Sequence, residues 1–72
     1  MKHAFRRRRA LRPRPNRHQI NQEIRRARQM HELLRIEQAL ELGRPQPDIA
    51  HLRYIQQQLA ALEDVVATLE AY

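Results

Sequence analysis

The sequence predicts an all-α protein: a two-helix antiparallel hairpin preceded by a disordered basic N-terminal arm. Residues 17–42 contain neither Gly nor Pro, and neither do residues 49–71. Between them, residues 43–47 hold the only Gly and two of the four Pro. With 72 residues the chain has room for one small domain. A single Gly and three aromatic residues also disfavour sandwiches and barrels, which need many turns.

The arm covers residues 1–16. The first 17 residues carry eight Lys or Arg and no acidic residue. Such a block repels itself and cannot bury an apolar face, so we expect it to be disordered. Pro13 and Pro15 exclude a continuous helix across this stretch. The basic residues are not followed by the apolar run that a secretory or twin-arginine signal requires.

The first predicted helix covers residues 17–42. Asn16 is a favourable N-cap, and Gln19 completes a capping-box pattern. Gly43 marks the end of this helix. After the loop of residues 43–47, Asp48 caps a second predicted helix over residues 48–71. Because so short a connection joins neighbours that run in opposite directions, the two helices form an antiparallel hairpin.

Apolar residues predict how the helices pack. In the second helix they alternate in steps of three and four, which gives an unbroken a/d stripe: Leu52, Ile55, Leu59, Leu62, Val66 and Leu69. We expect Leu59 and Leu62, at its middle, to be the most buried. The facing residues of the first helix are predicted to be Ile20, Ile24, Ala27, Met30 and Leu34.

The first helix has a second apolar face. Leu33, Ile36 and Leu40 project to nearly the opposite side of the helix from its predicted contact face. This face needs a second copy of the chain or another protein to cover it, unless the arm or Tyr54 does so. A homodimer through the helices is therefore one of the expected partners.

Charge is distributed very unevenly. Residues 1–36 have a net charge of +10 and residues 37–72 a net charge of −4, within a total of +6. A clustered polycation is suited to phosphate, because binding releases condensed counterions, and Arg adds a planar fork for paired oxygens. Arg35 follows Arg28 on a similar helix face. The predicted partner-binding or nucleic-acid-binding residues are Arg6, Arg7, Arg8, Arg9, Arg12, Arg14, Arg17, Arg25 and Arg28.

Enzymatic chemistry is not indicated. The chain has no Cys, and none of its four His stands three to five residues from another, so we expect neither a metal site nor a cofactor. Glu63 and Asp64 are adjacent on a helix and point about 100° apart, so they do not form an acid/base pair. No apolar run reaches the roughly 18 residues of a membrane span, and we expect a cytoplasmic protein without a membrane partner.

The arginine cluster Arg6–Arg9 with Arg12, Arg14 and Arg17, followed by compact helices, resembles the small phage-encoded transcription regulators. These include antiterminators of the lambda N type and very small proteins that bind bacterial RNA polymerase. The resemblance implies a non-enzymatic regulator that binds RNA polymerase, inhibiting initiation or causing antitermination, in the cytoplasm of a bacterial host. Its arm would dock on an acidic or phosphate-rich surface, while Leu33, Ile36 and Leu40 supply the apolar contact.

Two alternatives remain open. Residues 17–71 resemble the Rop-type RNA-binding proteins, in which two helical hairpins form a four-helix bundle. This resemblance implies RNA binding through a helix face. The broader alternative is a direct RNA- or DNA-binding module, Rop-like or ribosomal, that acts without RNA polymerase. The other alternative is a coiled-coil adaptor, which would not need the arm for binding.

Overall fold

A computed structural model describes residues 16–72, so the predicted disorder of the arm lies outside the described residues. The protein is all-α, with helix α1 at Arg17–Leu42 and helix α2 at Ile49–Glu70. Arg28, in the first half of α1, pairs with Glu70 at the end of α2, whereas Glu37 pairs with His51 at its start. The helices are therefore antiparallel and form the predicted hairpin.

Helix α1 begins at a complete capping box. Asn16 Oδ1 accepts a hydrogen bond from the Gln19 backbone N–H at 2.8 Å. Gln19 Oε1 accepts one from the Asn16 backbone N–H at 3.1 Å. Both bonds satisfy backbone donors that have no partner within a helical first turn, which explains why α1 starts at Arg17.

The second helix is one residue shorter at each end than the predicted 48–71. Asp48 is extended and caps the helix, its Oδ1 accepting a hydrogen bond from the His51 N–H at 3.1 Å. Ala71 is the C-cap, and its N–H points back to carbonyl groups of the last turn. Both residues are cap residues, which flank a helix and are not counted within it.

Gly43 ends α1 without the left-handed conformation that usually favours glycine at this position. Its φ is −79° and its ψ is −5°. Its N–H donates to the Ala39 carbonyl oxygen at 3.1 Å, and the Arg44 N–H donates to the Glu41 carbonyl oxygen at 3.2 Å. A Cβ here would lie 3.5 Å from the Ala39 oxygen and 3.6 Å from the Leu40 oxygen, which are ordinary contacts. The glycine is therefore not required by backbone geometry.

Gly43→Ala is consequently expected to stabilise the hairpin by about 0.4–1 kcal/mol, because alanine restricts the unfolded chain more than glycine does. For a domain of this size we expect the melting temperature to rise by roughly 2–8 °C. Thermal unfolding followed by circular dichroism measures the change. A lower melting temperature would contradict the observed φ, since only a left-handed residue 43 penalises a Cβ.

The contact surface of α2 is the predicted stripe, but its burial is uneven. Ile55 is 0% exposed, whereas the other five members are only half-buried. The prediction that Leu59 and Leu62 are the most buried is wrong. At 100° per residue, Ile55 and Val66 lie within about 10° of the mean direction of the stripe, while Leu59 and Leu62 lie about 30° to either side. Val66 is nevertheless only half-buried. With only one partner helix, side chains at the flanks of the stripe stay open to solvent.

The contact surface of α1 also differs from the prediction. Met30 is 52% exposed, whereas His31 and Gln38 are half-buried and Glu41 is buried. The stripe facing α2 is thus Ile20, Ile24, Ala27, His31, Leu34, Gln38 and Glu41. The residues of this stripe are alternately four and three positions apart. Arg44 donates to both Glu41 carboxylate oxygens, at 3.0 and 3.4 Å, so this buried charge is paired.

Candidate binding surfaces

Two ion pairs mark the two sides of the hairpin. Arg28 Nη2 lies 3.1 Å from Glu70 Oε2, and His51 Nε2 lies 2.9 Å from Glu37 Oε1. Arg28 and Glu37 are nine residues apart, which places them about 180° apart around α1. The Arg28 pair and the Glu37 pair therefore lie on opposite sides of the plane that contains both helices.

The Arg28 side carries the arginines predicted from the sequence. Arg17 and Arg35 lie within about 20° of Arg28 around the helix, and Arg25 lies about 60° away. All four are exposed. We call them the basic stripe: Arg17, Arg25, Arg28 and Arg35. From first to last it extends about 27 Å along α1 at 1.5 Å per residue.

The charges of the basic stripe are partly compensated. Arg28 of α1 forms an ion pair with Glu70 of α2. Arg17, Arg25 and Arg35 have no carboxylate within ion-pair distance among residues 16–72. Their guanidinium groups are accordingly available to an external anion. Arg26, which is not among the predicted binding residues, points away from the stripe and pairs with Glu23 at 3.3 Å.

The arm arginines predicted to bind a partner lie outside the described residues: Arg6, Arg7, Arg8, Arg9, Arg12 and Arg14. The arm joins α1 at Asn16, next to Arg17 at the N-terminal end of the basic stripe. The two sets of arginines are therefore adjacent along the chain.

The second apolar face predicted for α1 is exposed in the structure. Leu33 is 61% exposed, and Ile36 and Leu40 are exposed to a similar extent. We call these three residues the apolar edge. Around α1 they lie away from the stripe that faces α2, so the hairpin does not cover them.

Sequence inspection missed exposed apolar residues on α2. Tyr54 and Val65 are about half exposed. Together with Gln58 and Ala61 they follow the three–four spacing of a second helical stripe, beginning near His51. This spacing could have predicted the second stripe from the sequence. It is harder to recognise because Gln58 interrupts it and because the a/d stripe of the same helix is more strongly apolar.

A groove between the helices on the Arg28 side holds a mixed set of side chains. It has a volume of about 400 Å³ and is lined by Arg28, His31, Glu63 and Glu70, with Leu62 and Val66 at its base. Within the described part of the chain, no three His, Asp or Glu side chains converge as metal ligands would. The lining of the groove therefore combines charged and apolar side chains.

Neither helix of residues 16–72 has an apolar stretch of the length needed to cross a lipid bilayer. No protein family, curated protein or solved structure matches the chain.

Proposed function

We propose that this protein is a small non-enzymatic regulator of transcription that binds bacterial RNA polymerase through its basic arm and helical hairpin. The observation that carries the proposal is the exposed basic stripe, which continues the eight-cation N-terminal segment along one side of α1. The assignment to transcription rests on the layout that the chain shares with small phage regulators.

The basic stripe supplies the electrostatic part of the interaction. Arg17, Arg25 and Arg35 are exposed and free of carboxylates among the described residues, so binding an anion breaks no ion pair. Arginine suits paired oxygens on phosphates or carboxylates, since its planar fork donates two parallel hydrogen bonds. A surface about 27 Å long spans several such groups.

The apolar edge favours a protein partner over bare nucleic acid. Leu33, Ile36 and Leu40 remain exposed on the hairpin, and contiguous exposed apolar residues mark protein contact sites. A module that reads only phosphates does not need them. The basic stripe and the apolar edge together can engage a protein that itself holds nucleic acid, as RNA polymerase does.

A second candidate function is direct binding to RNA or DNA. The observation that favours it is the spacing of the basic stripe, whose arginines recur along one helix face and can follow a phosphate backbone. In this case the apolar edge has no role in recognition.

Capture from a bacterial lysate with and without nuclease distinguishes the two functions. We expect the tagged full-length chain to retain RNA polymerase subunits in both conditions, and Arg35→Ala to retain less. Arg53→Ala, which removes an exposed arginine of α2, is the matched control and is expected to bind as the unmodified chain does. Polymerase that is lost after nuclease treatment would support the second function. No polymerase in either condition would refute the proposal.

A further inference from the structure

The Glu37 side of the hairpin carries exposed apolar side chains on both helices. From Glu37, steps of four and three along α1 lead back to Leu33 and Met30. From His51, steps of three and four along α2 reach Tyr54, Gln58, Ala61 and Val65. The apolar members are all exposed in the hairpin. We call them the apolar face: Met30, Leu33, Tyr54, Ala61 and Val65.

The hairpin by itself encloses very little apolar surface. Among residues 16–72, the buried apolar residues are Ile20, Ala27 and Ile55. The remaining contact residues of α2 are half-buried, which leaves one side of each open. Chains of this size usually need oligomerisation, a metal or another cross-link to complete a core. A second layer of helices over the apolar face would cover the exposed side chains of that face and so enlarge this small core from the Glu37 side.

We propose that the apolar face binds a second copy of the same chain, so that two hairpins form a four-helix dimer. The available area is sufficient. Helix α2 has 22 residues, and at 1.5 Å per residue and about 20 Å across two adjacent helices the side of the hairpin that holds the apolar face has a footprint of roughly 660 Å². Specific interfaces bury about 600–1,000 Å² per partner, so this footprint lies at the lower end of that range.

The charged residues on the Glu37 side are self-complementary, because in a two-fold dimer a basic residue of one copy can face an acidic residue of the other. In a two-fold arrangement with α1 antiparallel to its counterpart, Met30 can lie opposite Leu33 of the second copy. The two-fold axis then crosses α1 midway between His31 and Glu32. Arg26 and Glu37 are equally far from that point, so Arg26 lies opposite Glu37 of the second copy. Two-fold symmetry repeats each contact. Arg26 and Glu37 would add these contacts to their pairings with Glu23 and His51 inside the hairpin. Two intermolecular ion pairs would thus flank a central apolar contact and set the register.

This arrangement keeps the basic stripes of both copies on the outer surfaces of the dimer. It also leaves Ile36 uncovered, since Ile36 points about 100° away from Glu37 around α1. The dimer covers Leu33, so in the dimer the polymerase contact of the apolar edge rests on Ile36 and Leu40. The two proposals fail separately: dimerisation can be tested without any partner, and Ile36→Ser should weaken polymerase binding without altering the dimer.

Sedimentation equilibrium of the full-length chain tests the dimer directly. We expect a mass twice the 8.7 kDa of one chain, dissociating over a loading range of about 1–100 µM, which brackets micromolar affinities. A chain that stays at one-copy mass throughout this range, while circular dichroism shows it to be helical, would overturn the proposal.

A matched pair of leucine variants tests whether the apolar face forms the dimer interface. Leu33 and Leu42 are 61% and 60% exposed on the same helix, but Leu42 lies off the apolar face. We expect Leu33→Gln to weaken dimerisation about thirtyfold, as for a central interface residue, and Leu42→Gln to leave it unchanged. If Leu33→Gln also loses helicity, that supports the dimer, because an exposed residue does not stabilise a lone hairpin. Equal effects of the two variants would contradict the assigned face.

Charge exchange tests the register. Arg26→Glu places like charges opposite Glu37 of the second copy and is expected to weaken dimerisation about tenfold. Adding Glu37→Arg should restore it. Arg25→Glu makes the same change in net charge on the basic stripe, away from the apolar face, and is expected to have little effect. If the double variant dimerises no better than Arg26→Glu alone, the antiparallel register is wrong.

Discussion

Ile55→Ala is expected to destabilise the hairpin strongly. Ile55 is fully enclosed between the helices, and truncating such a residue to alanine costs about 2–5 kcal/mol through lost burial and the cavity left behind. At roughly 0.05–0.15 kcal/mol per residue, the described part of the chain has a total stability of only about 3–9 kcal/mol. The substitution therefore removes about half of the stability or more.

Urea unfolding followed by circular dichroism measures this effect, with all variants at one protein concentration because dimerisation would also contribute to stability. Ile49→Ala is the matched control, since Ile49 starts the same helix but is 60% exposed. We expect its free energy of unfolding to change by no more than about 0.5 kcal/mol. Equal unfolding midpoints for the two variants would show that Ile55 is not the centre of the core.

Replacing Arg6–Arg9 together by alanine is expected to lower affinity for a nucleic-acid-bearing partner by about a thousandfold at 0.1 M salt. Each phosphate contact contributes about 0.7–0.9 to the slope of log affinity against log salt. Four lost contacts should therefore reduce that slope by about three units, and the loss should be similar for all sequences. Fluorescence anisotropy titrations at several salt concentrations measure both quantities.

Arg→Lys at the same four positions is the charge-matched control. It should leave the salt slope unchanged, and affinity falls only where forked or stacked arginine contacts are used. If the arm instead docks on an acidic protein surface, the alanine variant should chiefly slow association, with a milder dependence on salt. Unchanged affinity and slope would exclude the arm from binding and leave the apolar edge, Leu33, Ile36 and Leu40, as the contact surface.

The helices and the loop between them could be read from the sequence because the determining interactions are local. Asn16 and Gln19 bond each other across one turn, and Asp48 bonds the N–H of His51, so each cap involves residues three apart. The side of α2 that faces α1 was equally readable, since its apolar residues repeat at one helical period.

The basic stripe was predictable for the same reason. Arg25 and Arg28 are close in the chain, and their exposure follows from their charge and from their position off the apolar stripes. In the structure Arg25, Arg28 and Arg35 are all exposed on this surface, whereas Arg26 faces Glu23.

The tertiary structure alone decided how α1 meets α2. Met30 is more hydrophobic than Glu41, and yet Met30 is exposed and Glu41 is buried, because the rotation of α1 is set by the whole row of residues in contact. Arg44 makes this rotation possible by pairing with Glu41.

The pairing of Arg28 with Glu70 likewise joins residues 42 positions apart. No local pattern encodes it, because its partners meet only when two independently formed helices pack in one register. The sequence thus determined where the helices begin and end and which side of α1 is basic. The register of the packed pair determined which charges are compensated and which apolar side chains stay exposed.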